Sequence, residues 1–235
     1  MWVCVPTYNE AENVERFVEA VLAEMAAAGI DGHVLVADDD SPDGTGRLAD
    51  DLAAHHPNVH VLHRPRKEGL GPAYRAAFRH AMAQGAELLV EMDCDFSHDP
   101  AALPSLVAAA SDADVVIGSR YVPGGRVTDW SLPRRAISRF GCLYAKVVLA
   151  VPVEDLTSGF KCFRRAALEE IPLDEVTAAG YGFQIEMTYR ALRRGRRVTE
   201  VPITFTERTA GTSKMSGRIV LEAATLVPRL RRRRV

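Results

Sequence analysis

The sequence predicts an α/β fold of the Rossmann-like kind, a mostly parallel sheet flanked by helices. Three observations predict it. Short apolar runs alternate with helix-period segments through the first half of the 235 residues. The connections between them are brief, as they are in repeated β-α units. Acidic and polar residues gather just after the apolar runs, where such sheets bind ligands.

The elements follow in order. Residues 2–5 are an apolar run bounded by Pro6. From Glu10 onward Val14, Phe17, Val18, Val21, Leu22 and Met25 recur at helical spacing and stop near Gly29. Residues 34–37 are the second strand, Asp43 caps a helix running to about His55, and 59–62 are the third strand. Residues 73–84 read as helix, 88–92 as strand, 100–110 as a helix opened by proline, and 115–117 as strand. The second half is less regular. Residues 121–132 are a loop with Pro123, Gly124 and Gly125. Residues 133–149 are helical, with Ile137, Phe140, Tyr144 and Val147 on one side and Arg135, Arg139 and Lys146 among the polar positions. Residues 159–163 and 198–205 are extended, and 183–193 and 216–230 are helical.

Composition excludes several classes. Apolar residues make up 47% of the chain, enough for a sizeable core. A formal net charge of -2 argues against a general nucleic-acid binder, although the last seven residues hold five arginines. Cys4, Cys94, Cys142 and Cys162 form no C-x-x-C pair and no zinc spacing, so they read as reduced thiols. No run of about eighteen uncharged apolar residues spans a bilayer, and no signal peptide is legible at the start. These features suit a soluble or peripheral protein in a reducing, cytoplasmic compartment.

The chemistry sits at strand ends. The first strand leads into Pro6-Thr7-Tyr8-Asn9-Glu10, the second into Asp38-Asp39-Asp40-Ser41-Pro42-Asp43-Gly44, and the fourth into Asp93-Cys94-Asp95. Any one of these could be an ordinary turn. Three together suit a cation or a nucleotide. Asp93 and Asp95 point the same way if the chain stays extended, and such a pair repels unless a cation joins it. Hard oxygen ligands suit Mg²⁺ or Mn²⁺, with a diphosphate completing the shell. Gly44-x-Gly46-x-x-Ala49 matches a dinucleotide fingerprint in letters only. It lies too far from its strand, and the intervening aspartates repel a pyrophosphate.

Taken together the motifs resemble family 2 glycosyltransferases, and within them the dolichol- or polyprenol-phosphate mannose synthases. The likeness runs through Pro6-Thr7-Tyr8-Asn9-Glu10, the Asp38 to Thr45 turn, Gly69-Leu70-Gly71, Met92-Asp93-Cys94-Asp95-Phe96-Ser97-His98 and Gly118-Ser119-Arg120-Tyr121. It continues in Trp130, Arg134-Arg135, Ile137-Ser138-Arg139, Asp155-Leu156-Thr157-Ser158-Gly159-Phe160-Lys161 and Gly180-Tyr181-Gly182-Phe183-Gln184-Ile185-Glu186-Met187. It closes with Glu200-Val201-Pro202-Ile203 and Arg208-x-x-Gly211-x-Ser213-Lys214. The resemblance implies a GT-A fold over a single domain of residues 1–235: a nucleotide-binding half at 1–118, an acceptor-binding half at 119–215, and a C-terminal helix and basic tail at 216–235. It implies inverting transfer of mannose from GDP-mannose to dolichyl or polyprenyl phosphate, giving a β-linked product for lipid-linked glycan or protein glycosylation. Pro6, Tyr8, Glu10, Ala37 and Asp39 are then expected on base and ribose, and Asp93, Cys94 and Asp95 against the diphosphate. Asp93 and Asp95 are the expected metal ligands, with Ser97 where some relatives place a glutamine that reaches the metal. Arg120, Arg208 and Lys214 are the expected cationic grip on phosphates, and Arg120, Arg135, Ser138 and Arg139 the acceptor-phosphate set. Asp93, Asp95 and Arg120 are the expected catalytic residues. Asp40 departs from the family by replacing a glycine.

Such a transfer needs no general base, because a phosphate oxygen is already anionic. Arginine forks bring the two polyanions together. The Gly/Ser/Thr-rich 211–217 segment is placed to close over the donor. The acceptor's lipid tail requires a membrane surface. The 133–149 helix has an interfacial pattern, and equally that of a core-facing helix. The arginine tail either meets anionic lipid or leads to a membrane-spanning partner protein. A sibling enzyme using UDP-glucose is the nearest rival. A nucleotidyltransferase and a non-catalytic sugar-nucleotide-binding subunit are more remote.

Overall fold

The computed structural model describes residues 1–178, 180–207 and 217–232. The first half alternates as expected: β1 (Trp2–Thr7), α1 (Val14–Ala27), β2 (His33–Asp38), α2 (Thr45–His55), β3 (Val59–His63), α3 (Leu70–Ala83), β4 (Leu88–Glu91), α4 (Leu103–Ala109) and β5 (Val115–Ser119). Then come β6 (Arg126–Val127), α5 (Leu132–Leu149), β7 (Lys161–Arg164), α6 (Arg165–Glu170), α7 (Tyr181–Arg193), β8 (Val198–Pro202), β9 (Thr204–Phe205) and α8 (Gly217–Arg232).

The main sheet has seven strands in the order β3-β2-β1-β4-β7-β5-β8, and β6 and β9 form a small second sheet. Only β7 runs antiparallel within the large sheet, between β4 and β5. Alternation along β1 divides the core. Trp2 and Cys4 enter one hydrophobic layer with Phe78 of α3 and Phe183 of α7. Val3 and Val5 enter the other with Phe17 of α1 and Leu106 of α4. This period-two division is what a strand buried on both faces produces. All four cysteines are buried free thiols.

Several elements differ from the sequence reading. α3 starts at Leu70, before Gly71 and Pro72, rather than at residue 73. Both residues are tolerated because the first helical turn has no carbonyl behind it to bond. A Cβ on Gly71 would stand 2.3 Å from the Ala178 carbonyl oxygen, so this close approach excludes other residues. β1 continues through Pro6 to Thr7, in register with Ala37 and Asp38 of β2. α6 and β6 were not legible, being too short to show a period, and the extended run at 198–205 is divided into β8 and β9.

Candidate active site

The first two strand ends are stapled together. Thr7 Oγ1 donates to Asp38 Oδ1 at 3.0 Å, and Ser41 donates to the same carboxylate through its amide and its hydroxyl. Asp43 accepts from the amides of Ala11 and Thr45, each at 3.0 Å, and from Thr45 Oγ1 at 2.6 Å. Burial works to raise the pKa of Asp43, but these bonds outweigh it and the pKa is lowered. Asp38 and Asp43 therefore build the turn. Asp40 adopts φ 57°, the left-handed region that a glycine takes without strain and aspartate tolerates. That accounts for the family's glycine and its replacement.

Asp39 faces a different partner. It is buried and ion-paired with Arg64, whose other nitrogen reaches Glu68 at 2.9 Å. Burial raises the pKa of Asp39 despite the opposing charge of Arg64. The Tyr8 ring lies under Lys67 Nζ, 3.8 Å from the centroid. Glu10 Oε2 accepts from Asn13 at 2.9 Å, and its amide donates to Thr45 Oγ1 at 2.9 Å. Pro6 is half-buried, while Ala37 is fully buried in the core and paired on both sides within the sheet, so it offers no surface to a ligand. Arg64 and Lys67 were not singled out from sequence, because nothing in their local pattern sets them apart from solvated charges.

The fourth strand end behaves otherwise than simple alternation implies. β4 stops at Glu91, and residues 93–97 turn with Phe96 at φ 58°. Asp93 and Asp95 are thus brought out by a turn, not by an extended strand. Tyr74 donates its hydroxyl to Asp93 Oδ1 at 3.4 Å. Ser97 donates both its amide and its hydroxyl to Asp95 Oδ1, so its hydroxyl supports that carboxylate. The Cys94 thiol packs into the core, and burial lifts its pKa well above the usual range. Behind the turn, Glu91 of β4 lies opposite Lys161 of β7. Burial raises the carboxyl pKa of Glu91 and lowers the ammonium pKa of Lys161, each partly offset by the other's charge.

Among the described residues no group of three or more His, Cys, Asp or Glu side chains converges to hold a metal unaided. Asp93 and Asp95 offer hard carboxylate oxygens, which fit Mg²⁺ or Mn²⁺: these ions take one or two carboxylates and fill the shell with substrate phosphates and water. Asp93 and Asp95 are the residues that would hold the ion. It would supply positive charge to a departing diphosphate.

The other wall is built around Arg120. Its Nε and Nη2 donate to the two oxygens of Asp155 at 2.7 and 2.6 Å, and Nη2 also reaches Thr157 Oγ1 at 2.7 Å. Burial would raise the Asp155 pKa, but Arg120 holds it below the carboxylate range. The guanidinium carbon lies 5.2, 5.8 and 5.3 Å from the ring centroids of Tyr121, Trp130 and Phe205. Arg120 is therefore a fixed, boxed cation rather than a mobile clamp. Tyr121 joins it to α5: its hydroxyl donates to Ser138 at 2.7 Å, and Arg139 stands 5.6 Å from its ring. Arg135 donates to the Val127 carbonyl. The two walls meet through His98, whose ring lies 5.1 Å from Phe205 and whose Cε1 borders the space over Gly159 beside Asp93. Tyr121, Trp130, Asp155, Thr157 and Phe205 are members of this wall that the sequence did not assign to phosphate. Arg208 and Lys214 lie outside the described residues.

The outward side of α5 is bare. Leu132, Phe140 and Val147 are 77%, 70% and 67% exposed, and Ile137 and Leu143 accompany them. Only Cys142, Ala145 and Leu149 of this helix are buried. Among the described residues no helix is long and apolar enough to cross a membrane.

With this geometry, residues 2–172 match the family model for Glycosyl transferase family 2. The chain belongs to glycosyltransferase family 2. It is 49% identical over 225 residues to the undecaprenyl-phosphate mannosyltransferase of Micrococcus luteus, covering 96% of this chain and 91% of that one. It is also 49% identical over 223 residues to the polyprenol monophosphomannose synthase of Mycolicibacterium smegmatis, covering 94% of this chain and 83% of that one. Both relatives bear out the resemblance to the polyprenol-phosphate mannose synthases, and the chain is a glycosyltransferase. Solved structures share the GT-A fold. Glucosyl-3-phosphoglycerate synthase of Mycobacterium tuberculosis, in complex with phosphoglyceric acid, has TM-score 0.66 at 18% identity, with 97% of this chain and 79% of that one covered. A mannosyltransferase of Pyrobaculum calidifontis in complex with GDP-Man and Mn²⁺ has TM-score 0.63 at 21% identity, covering 94% of this chain and 60% of that one.

Proposed function

We propose that this glycosyltransferase moves mannose from GDP-mannose to a polyprenyl phosphate at a membrane surface, with inversion. The observation that carries the reading is α5. Its inner side brings Ser138 and Arg139 to Tyr121 and the boxed Arg120, and its outer side is a bare apolar face. Phosphate-handling groups and a lipid-compatible face on one helix suit an acceptor with an anionic head and an isoprenoid tail. The 49% identity to two relatives named for mannosyl transfer to such lipids supports the same substrate class.

In the proposed reaction an acceptor phosphate oxygen forms a bond to the anomeric carbon. The bond from that carbon to the diphosphate breaks, and the electron pair leaves with GDP. No proton needs removal. Arg135, Ser138 and Arg139 receive the acceptor phosphate, while Arg120 lends positive charge from its fixed seat. Tyr8, Glu10 and the Asp39–Arg64 pair hold the base and ribose. Asp93 and Asp95 would hold Mg²⁺ or Mn²⁺, which would supply positive charge to the departing diphosphate. The protein docks peripherally, on the cytoplasmic face, through the apolar side of α5.

The test is to incubate purified protein with radiolabelled GDP-mannose, Mg²⁺ or Mn²⁺ and a polyprenyl phosphate, and extract with organic solvent. Label is expected in the organic phase, and excess unlabelled UDP-glucose should not compete. Transfer from UDP-glucose alone would overturn the donor assignment. Asp95→Ala is expected to lose turnover while its melting temperature holds. Full activity in that variant would remove the metal role.

A further inference from the structure

The carboxamide of Gln184 has no part in the reaction described above. It lies in the first turn of α7 and is fully buried, yet neither Nε2 nor Oε1 has a hydrogen-bond partner. Leaving a buried amide unbonded costs about 1–3 kcal/mol, so such groups are usually satisfied by a ligand or water. Its seat is fixed from behind. The Gln184 backbone carbonyl accepts from Lys161 Nζ at 2.7 Å and from Thr188 Oγ1 at 3.0 Å. The Glu91 carboxylate is near enough for Gln184 to lower its pKa, but no bond between them reaches hydrogen-bond geometry.

In front of Gln184 lies Gly159. A Cβ built there would stand 3.4 Å from Asp93 Oδ2, 3.6 Å from His98 Cε1 and 3.8 Å from Gln184 Nε2. The glycine therefore keeps a space open between a carboxylate and an unbonded amide. The chemistry of that lining selects a ligand class. An anion would meet the Asp93 carboxylate. An apolar group would leave the amide unsatisfied. A neutral hydroxyl can donate to a carboxylate or amide oxygen and accept from Nε2 at once. We propose that Gln184 binds hydroxyl groups of the transferred hexose in the space over Gly159, beside Asp93, and so helps to set sugar specificity. This rests on the reading of Asp93 as a donor-site residue.

The test compares donor and product nucleotide. Calorimetric titration with Mn²⁺ present gives dissociation constants for GDP-mannose and for GDP, and their ratio isolates the sugar. Gln184→Met keeps the side-chain volume and removes both polar atoms. It should weaken GDP-mannose about tenfold and leave GDP within about twofold. Gly159→Ala meets no atom closer than ordinary contact, so it should fold normally and lose the same increment by occupying the space. Unchanged ratios in both variants would overturn the proposal. So would an equal loss for GDP and GDP-mannose together with a lower melting temperature, which would make Gln184 structural. If the wild type binds UDP-glucose and not GDP-mannose, the donor assignment fails, and the same ratio read with UDP-glucose and UDP still decides the role of Gln184.

Discussion

In α1 the apolar residues Val14, Phe17, Val18, Val21 and Met25 are all buried, while in α5 Leu132, Ile137, Phe140, Leu143 and Val147 stand in solvent. Both helices carry an apolar stripe at helical spacing. α1 turns its stripe onto one layer of the sheet core. α5 turns Cys142, Ala145 and Leu149 inward and most of its large apolar residues outward. The inward side is committed to polar work: the Cys142 thiol lies 3.5 Å from Asp155 Oδ1, and Ser138 accepts from Tyr121. Amphipathicity thus fixes that a helix has two faces. It does not fix which face meets the protein.

The contrast is broken most directly by truncation. Phe17→Ala removes a fully buried ring, and the expected loss of about 3–5 kcal/mol would appear in urea denaturation. Phe140→Ala should change stability by less than about 0.5 kcal/mol, because the ring is already in water. Equal losses at the two positions would mean that α5 packs against protein.

The inward side of α5 is probed next. Asp155→Asn leaves the buried Arg120 charge without its counter-ion, and about 3 kcal/mol of stability should be lost. The pKa of Asp155 is lowered in the folded state, so its contribution is full at neutral pH and falls away as pH drops below the ordinary carboxylate range. Acid titration of the wild type should show that loss, and Asp155→Asn should not.

The outward side is tested on vesicles. Changing Leu132, Phe140 and Val147 together to serine should weaken binding to polyprenyl-phosphate-containing liposomes at least tenfold, with the melting temperature unchanged. Changing Arg229, Arg231 and Arg232 to serine should cost about 1 kcal/mol per charge on anionic vesicles at low salt, and nothing at high salt.

The smallest effect is expected far from both helices. Trp2 stacks on His33 and His60 with centroids at 4.8 and 4.5 Å, and the His33 and His60 rings approach to 3.0 Å. Burial, then the charges of His33 and His80, lowers the His60 pKa. A depressed folded-state value means the unfolded chain takes the proton first. Stability should therefore decline as pH falls below the ordinary histidine value of 6.5, by at most about 1 kcal/mol. His60→Phe should keep the stack and flatten that slope.

Much of the donor side was legible because its signals are local. Acidic turns after apolar strands need only the neighbouring sequence, and the Asp38, Asp43 and Asp93 turns stand where those signals put them. What was not legible depends on partners distant in sequence. That Asp39 is ion-paired shows only once Arg64, 25 residues on, is brought against it. Arg120 reads as a free clamp until Asp155, 35 residues on, locks it. Gln184 is one letter of a helix until Gly159 and Asp93 are brought in front of it.

The sequence by itself determined the alternating α/β class, the family, and the acidic strand ends, because periodicity and turn chemistry act over a few residues. Only the tertiary structure decided that β7 enters antiparallel between β4 and β5, that α5 faces its large apolar side outward, and which charges neutralise one another. Those outcomes are set by burial and by Coulomb contacts between segments dozens of residues apart, which exist only once the chain has closed on itself.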